Sequence, residues 1–181
     1  MSKAVMLSVR PKWCQKIASG EKTIEVRKTK PKLETPFKAY IYCTLPKYPH
    51  EDFIATDYPM PQFYGGGKVI GEFTCERIVP ITYDGGRLWC PTNAAFSPAT
   101  RLSQAEIIAY IGDKGRCYGW HISDLRIYDA PKELSEFKTL CRVDADCCAC
   151  PYYNYTKMGC DGRVIGRPPQ SWCYVDDLQT K

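Results

Sequence analysis

In the stretch Gly-Glu-Lys-Thr-Ile-Glu-Val-Arg, residues 20–27, apolar residues alternate with charged or hydroxyl residues. Alternation with a period of two is typical of a strand that is buried on one face. We therefore expect Ile24 and Val26 to face a core. The opposite face would carry Thr23, Glu25, Arg27 and Thr29, with Glu25 and Arg27 roughly 6.6 Å apart along the strand.

The residues before this stretch predict a helix that leads into it. Pro11 suits the first position of a helix, where its missing N–H is harmless. Trp13 and Ile17 repeat on one side, and Gly20 can take the left-handed conformation that ends a helix. The sequence therefore predicts a strand at 5–9, a helix at 11–19 and a strand at 22–29, in the order β–α–β.

Together these motifs resemble a known family. Leu7-Ser8, Pro11, Trp13 and the Gly-x-Lys-x-x-Glu-x-Arg string of residues 20–27 resemble the first segment of ASCH domains, a branch of the PUA-like superfamily. The later stretch at residues 118–122 extends the resemblance over residues 4–130. It implies an α+β fold: a PUA-like mixed β-barrel with flanking helices, and a cleft between barrel and helix that holds the Lys/Glu/Arg motif. The ligand implied is RNA or a modified nucleobase.

A few small proteins of this kind are similar to amidohydrolases that act on acetylated cytidine. They use the motif lysine, a threonine three residues later and a separate glutamate. Here Lys22 is present, but Glu25 takes the place of the threonine. Pro98 and Ala99 stand where the glutamate would fall, so the residues of that reaction are not all matched.

Composition and charge indicate a folded protein with a basic amino-terminal region. Residues 1–50 hold eleven Lys/Arg against three Glu, a net charge of +8, although the whole chain carries only +5. Such a region attracts polyanions and supplies salt-dependent phosphate contacts. No apolar run approaches the length of a membrane span, and the amino terminus lacks a secretory pattern. We therefore expect a soluble, cytoplasmic protein with no membrane partner.

The main functional hypothesis is a nucleic-acid-binding module, with RNA favoured over DNA, that captures a base or modified nucleobase in the cleft. Glu25 would accept a hydrogen bond from a base edge, and basic residues would hold phosphates. The proposed site consists of Ser8, Arg10, Lys12, Lys22, Glu25, Arg27, Lys28 and Lys30.

Two alternatives remain at this stage. In a PUA-like enzyme, an amidohydrolase on a modified nucleoside or a ribonuclease, the catalytic residues would be Lys22 as base or electrostatic group and Glu25 as proton shuttle. In a third hypothesis Glu25 and Arg27 pair only with each other, and partner proteins carry the function. The sequence has no strong hydrolytic motif, which favours binding over catalysis.

The eleven cysteines fall into two groups. Five are scattered through predicted elements and are interpreted mostly as core residues: Cys14, Cys43, Cys75, Cys90 and Cys117. Six lie within residues 141–173, which favours a metal site over disulfides in a reducing compartment. We predict one zinc ion held by Cys141, Cys147, Cys150 and Cys160. An iron–sulfur cluster, or free thiols, are the alternatives.

The remaining sequence predicts one barrel domain at residues 1–130 and a cysteine-rich, zinc-ordered tail at 131–181 that packs on the barrel. Pro46, Pro49, Pro59 and Pro61 predict that residues 46–67 are neither strand nor helix. This segment is either an aromatic lid over the cleft or an insertion packed on the barrel. Strands are expected at 38–44, 68–81 and 117–128. Ser103 and Glu106 predict a capping box that opens a helix ending at Gly112.

Overall fold

The computed structural model describes residues 3–57, 60–92, 98–139, 153–154, 159–160 and 162–178. Two α-helices occur in these residues, α1 (Pro11–Ala18) and α2 (Gln104–Ile111). The strands are β1 (Lys3–Val9), β2 (Ile24–Arg27), β3 (Phe37–Cys43), β4 (Ile54–Asp57), β5 (Met60–Tyr64), β6 (Val69–Asp84), β7 (Arg87–Trp89), β8 (Arg116–Lys132), β9 (Lys138–Thr139), β10 (Tyr153–Asn154), β11 (Gly159–Cys160), β12 (Arg163–Val164) and β13 (Trp172–Asp176).

Nine strands form one sheet in the order β12, β9, β13, β1, β3, β6, β8 and β2, with β7 paired to β6. β1 and β3 are parallel, and the other neighbours are antiparallel. The predicted β–α–β start is confirmed, although its second strand covers only Ile24–Arg27. Since β1 and β2 are separated by three strands in the sheet, α1 connects strands that are not neighbours.

Side chains bring the end strand β2 back against β1 and β13. Arg27 in β2 donates hydrogen bonds to the carbonyl oxygens of Ser8 in β1, at 2.7 Å, and Ser171 just before β13, at 3.2 Å. The indole Nε1 of Trp172 donates to the hydroxyl of Thr29 at 2.9 Å. The five strands β1, β3, β6, β8 and β2 thus curve round into a barrel-like sheet, whose last seam is made by side chains.

The core fills both faces of β1, which explains why that strand is apolar at almost every position. Val5, Leu7 and Val9 pack inside the barrel with Cys14 and Ile17 of α1. On the other face, Ala4 and Met6 pack against residues of β3, the chain before β9, and β13: Tyr40, Phe137 and Val175. A third cluster joins β2, β6 and β8 to Ile107 and Ile111 of α2. Helices α1 and α2 therefore flank the barrel at two places.

At Gly71 the backbone of β8 approaches β6 too closely to leave room for a side chain. A Cβ at this position would collide with the backbone oxygen of Arg126 in β8. The β6–β8 register shifts at three places, one of them between Val69 and Gly71. This irregularity lets the two long strands follow the curvature of the barrel.

The prediction that residues 46–67 contain no strand is wrong. The segment contains the antiparallel hairpin β4–β5. Proline is compatible with this hairpin because the two strands form a separate sheet, in which both are edge strands. Phe53 is 1% exposed, and its ring lies 6.1 Å from that of Phe63. Of the two alternatives for this segment, the packed insertion agrees with these contacts.

The helix and the carboxy-terminal residues follow the sequence pattern. The capping box of Ser103 and Glu106 is present, and α2 ends at Gly112. β13 pairs with β1 over five residues, so Trp172–Asp176 adds a strand to the main sheet. Whether residues 131–181 form a unit of their own stays a prediction. No helix in the described part of the chain is long and apolar enough to cross a membrane.

Candidate functional site

The turn between α1 and β2 places the charged motif. Gly20 has φ of 74°, a value that favours glycine, and its N–H bonds the carbonyl of Ile17 at 2.9 Å. The N–H of Lys22 then bonds the carbonyl of Lys16 at 2.8 Å, which folds the chain back along the helix. Lys22 consequently lies beneath Trp13 of α1, with its Nζ 5.1 Å from the ring centroid.

Glu25 joins two cations in a buried charged triad, which we define as Lys22, Glu25 and Arg27. Its Oε2 lies 3.4 Å from Lys22 Nζ, and its Oε1 lies 3.0 Å from Arg27 Nη2. The three residues are 2%, 7% and 7% exposed. The hypothesis that Glu25 and Arg27 pair only with each other is therefore wrong, because Lys22 shares the carboxylate and Arg27 also bonds main-chain oxygens.

Lys22 is held on several sides. It donates a 2.7 Å hydrogen bond to the carbonyl oxygen of Thr100, in addition to its contacts with Glu25 and Trp13. Burial lowers the pKa of Lys22, and the neighbouring Glu25 carboxylate only partly offsets that effect. Perturbed lysines of this kind occur at functional sites as well as in structural ion-pair networks.

Arg27 links the triad to the seam of the barrel. The carbonyl oxygens that it binds belong to Ser8 and Ser171, so one guanidinium touches β1, β2 and the segment before β13. Its Nε is buried and has no hydrogen-bond partner among the described residues. The hydroxyl of Ser8 donates to the carbonyl oxygen of Pro169 at 2.5 Å, which ties the same carboxy-terminal segment to the seam.

The triad lies along a cleft of about 1110 Å³. One side is formed by α2, and the other by the ends of β1 and β3 and by residues 168–171. Besides the triad, the described part of the lining carries three aromatic residues, three further cations and the carboxylate of Glu106. These aromatic and cationic residues are Trp13, Tyr42, Tyr110, Arg10, Lys28 and Lys114.

Exposed lysines cover aromatic rings beside the triad. Lys12 Nζ lies 4.9 Å from the centroid of Trp13, and Lys28 Nζ lies 5.2 Å from that of Tyr110. Just outside the cleft, Lys30 Nζ lies 5.8 Å from the ring of Tyr118. Burial raises the pKa of Tyr110, as expected for a half-buried phenol. Aromatic surface and positive charge therefore alternate along this side of the molecule.

The structure brings together six of the eight residues proposed for the site: Ser8, Arg10, Lys22, Glu25, Arg27 and Lys28. Lys12 and Lys30 do not line the cleft but cover rings at its border. The sequence hypothesis missed Tyr42, Tyr110, Lys114 and residues 168–171 as cleft residues. The sequence places Tyr110 in the well-capped helix α2. No local pattern in that helix indicates that the Tyr110 side chain faces β2.

The proposed metal ligands cannot be described in the same way. Cys141, Cys147 and Cys150 lie outside the described residues, and so does the side chain of Cys160. Zinc at these four cysteines stays a prediction. Within the described part of the chain, no group of three or more His, Cys, Asp or Glu residues could hold a metal ion. The prediction of core cysteines is confirmed, because Cys14, Cys43, Cys75, Cys90 and Cys117 are buried and free.

Comparison with known proteins adds to this picture at the level of the fold. The chain is similar to an ASCH protein from Zymomonas mobilis, with a TM-score of 0.58 and 18% sequence identity over 96% of this chain and 88% of that one. The chain has the ASCH fold. The predicted ASCH-like barrel is therefore confirmed.

Crystal structures of two variants of the Zymomonas mobilis protein are similar to this chain to the same degree. For a tyrosine-to-phenylalanine variant, the TM-score is 0.57 at 18% identity over 97% of this chain and 92% of that one. For a serine-to-alanine variant, it is 0.57 at 18% identity over 96% and 89%. No protein-family model and no curated protein sequence matches the chain.

Proposed function

We propose that the cleft binds nucleic acid, RNA in preference to DNA, and that it captures one base or modified nucleobase beside Glu25. The observation that carries this proposal is the triad itself: a buried, fixed carboxylate with two cations, at an open cleft with aromatic rings and further positive charge. Sequence-specific RNA recognition uses unpaired bases, which stack on aromatic rings and form hydrogen bonds along their edges.

Glu25 has acceptor capacity left for such a base. An ionised carboxylate offers about four lone-pair sites, and each of its oxygens has one cationic neighbour here. A base N–H can therefore bind the same carboxylate while Lys22 and Arg27 stay in contact with it. Their fixed positions supply rigidity, because a recognition group held by packed neighbours loses little freedom on binding. Arg10, Lys28 and Lys114 would supply phosphate contacts, which position the strand without selecting its sequence.

The lowered pKa of Lys22 favours a second candidate, an amidohydrolase or ribonuclease with Lys22 and Glu25 as catalytic residues. The contacts of Lys22 favour binding instead, since its ammonium group already bonds Thr100 and Glu25 and lies against Trp13. A general base must reach the substrate proton with a free lone pair. The cleft lining also includes no histidine among the described residues.

Glu25→Gln separates these two functions. Affinity and product formation are measured together, with single-stranded RNA and with acetylated and unmodified cytidine. We expect no turnover by the wild type, and a loss of about 1–3 kcal/mol in binding by the variant, the range for a lost base contact. The control is Glu106→Gln. Glu106 also lines the cleft, and glutamine at this position keeps the capping box at the start of α2.

The opposite outcome has a distinct signature. The enzyme would be the correct function if the wild type hydrolysed substrate over multiple turnovers, and if Lys22→Ala or Glu25→Gln abolished this hydrolysis. RNA binding by these variants should then be nearly unchanged, because a proton shuttle acts mainly in the transition state. Urea unfolding of each variant shows whether a loss of binding comes from a loss of folded protein.

A further inference from the structure

The cleft is larger than one base requires. Pockets for compact small molecules usually enclose about 300–1,000 Å³, whereas this cleft encloses about 1110 Å³. Its lining continues beyond the triad in both directions, toward Tyr110 in α2 and Lys114 just after it, and toward Thr44 and Leu45 after β3. A free nucleoside beside Glu25 would leave much of this space unfilled.

Two aromatic rings lie at the two ends of β2. Trp13 contacts Lys22, which precedes β2, and Tyr110 lies under Lys28, which follows it. Lys28 follows Lys22 by six positions along a nearly extended chain, so their Cα atoms can be up to roughly 20 Å apart. Trp13 packs on the barrel core and Tyr110 on the cluster around α2, so each ring is anchored separately.

Each ring is covered by an exposed lysine that a base can displace. Lys12 covers Trp13 and Lys28 covers Tyr110, and both lysine side chains are solvent-exposed. An exposed cation–π contact changes an equilibrium by a factor of about 2–5. Stacking of a base on an aromatic ring contributes a factor of about 5–150. Base stacking is therefore the stronger contact, and a displaced lysine remains close enough to meet a phosphate.

We infer that the cleft binds a single strand of at least two nucleotides, with one base on Trp13 beside Glu25 and a second base on Tyr110. Lys12 and Lys28 move from the rings to the phosphates of that strand. This inference rests on the proposed function, and it specifies the ligand as an oligonucleotide rather than a free nucleoside. Tyr110 then contributes only when a second nucleotide is present.

The test measures affinity as a function of ligand length. The probes are the four ribonucleoside 5′-monophosphates and homopolymeric RNA of two, four and eight nucleotides for each base. We expect the wild type to bind RNA of four and eight nucleotides at least tenfold more tightly than the mononucleotide of the same base, because the strand must be long enough to reach both rings. Tyr110→Leu should weaken oligonucleotide binding by about 5–150-fold and leave mononucleotide binding within twofold, whereas Trp13→Leu should weaken both.

Three control variants isolate the ring as the cause. Tyr110→Phe keeps the ring and should bind oligonucleotides like the wild type. Trp89→Leu and Tyr64→Leu remove exposed aromatic rings that do not line the cleft, and should change nothing. Leucine retains apolar packing at each position, and Tyr110→Leu leaves the triad contacts intact, so the test does not depend on the Trp13 variant.

The outcomes separate the inference from the proposed function. Equal affinity for mononucleotides and oligonucleotides, or full oligonucleotide affinity in Tyr110→Leu, would overturn the second stacking position while leaving base capture beside Glu25 in place. A wild type that binds none of the RNA probes would overturn both. The same titrations with homopolymeric DNA of equal length test the sugar preference: tighter binding of DNA than of RNA would retain the two stacking positions and overturn the proposed preference for RNA.

Discussion

At the scale of single residues, the described part of the chain contains the same three-charge arrangement twice, in two environments. In the buried triad, Glu25 contacts Lys22 at 3.4 Å and Arg27 at 3.0 Å. At the surface, Glu21 contacts Lys16 at 3.3 Å and Arg101 at 3.4 Å, and these side chains are 31–45% exposed. The distances are nearly equal, so burial is what distinguishes the two sets.

That contrast predicts different stabilities for matched variants. Arg27→Met leaves a buried carboxylate and two main-chain oxygens short of a partner, and should lower the free energy of unfolding by about 3–5 kcal/mol. Arg101→Met breaks an exposed pair and should cost at most about 1 kcal/mol. Urea unfolding of both variants measures the difference. Equal losses would mean that the buried triad contributes no more to folding than a surface ion pair.

The sequence revealed the members of the triad but not all of their partners. The alternation around Ile24 and Val26 was enough to put Glu25 and Arg27 on one face of a strand. The carbonyl oxygens that hold Arg27 come from Ser8 and Ser171, which are 19 and 144 residues away in sequence. Such contacts depend on barrel closure, and no local pattern encodes them.

At the scale of elements, local signals located the helices and the long strands, because capping residues and alternation act within a few positions. The hairpin β4–β5 was missed because its sequence contains Pro61, which normally indicates a break in a strand. The strands β9 and β12 were missed for a different reason. Each is two residues long and is defined only by its pairing with distant residues.

The capping box of α2 gives a prediction at this scale. The Ser103 hydroxyl accepts from the Glu106 N–H at 3.2 Å, and the Glu106 carboxylate accepts from the Ser103 N–H at 2.8 Å. Ser103→Ala should reduce the free energy of unfolding by about 1 kcal/mol. Glu106→Gln should cost little, since glutamine can close the same box. Thermal or urea unfolding measures both variants, and an unchanged stability of Ser103→Ala would show that the hydroxyl does not hold the helix.

At the scale of the whole molecule, positive charge is concentrated where the cleft opens. The lining holds five cations and two carboxylates among the described residues, and four of those cations come from the first fifty positions. The sequence already showed the excess of positive charge in residues 1–50. The fold places these cations on one surface because α1 and β2 lie side by side. Lys114 and residues 168–171 join the same cleft from distant parts of the chain.

The claim that single-stranded RNA binds along this cleft is tested most directly by the salt dependence of its affinity. Each phosphate contact on a single strand contributes about 0.7 to the slope of log affinity against log salt. Arg10→Gln/Lys28→Gln removes two exposed cleft cations, and should reduce the slope by about 1.4 without changing base preference. The control is Lys3→Gln/Arg87→Gln, which removes the same charge outside the cleft lining and should keep the wild-type slope. Equal slopes for the two double variants, or an RNA affinity that does not change with salt, would contradict RNA binding along the cleft.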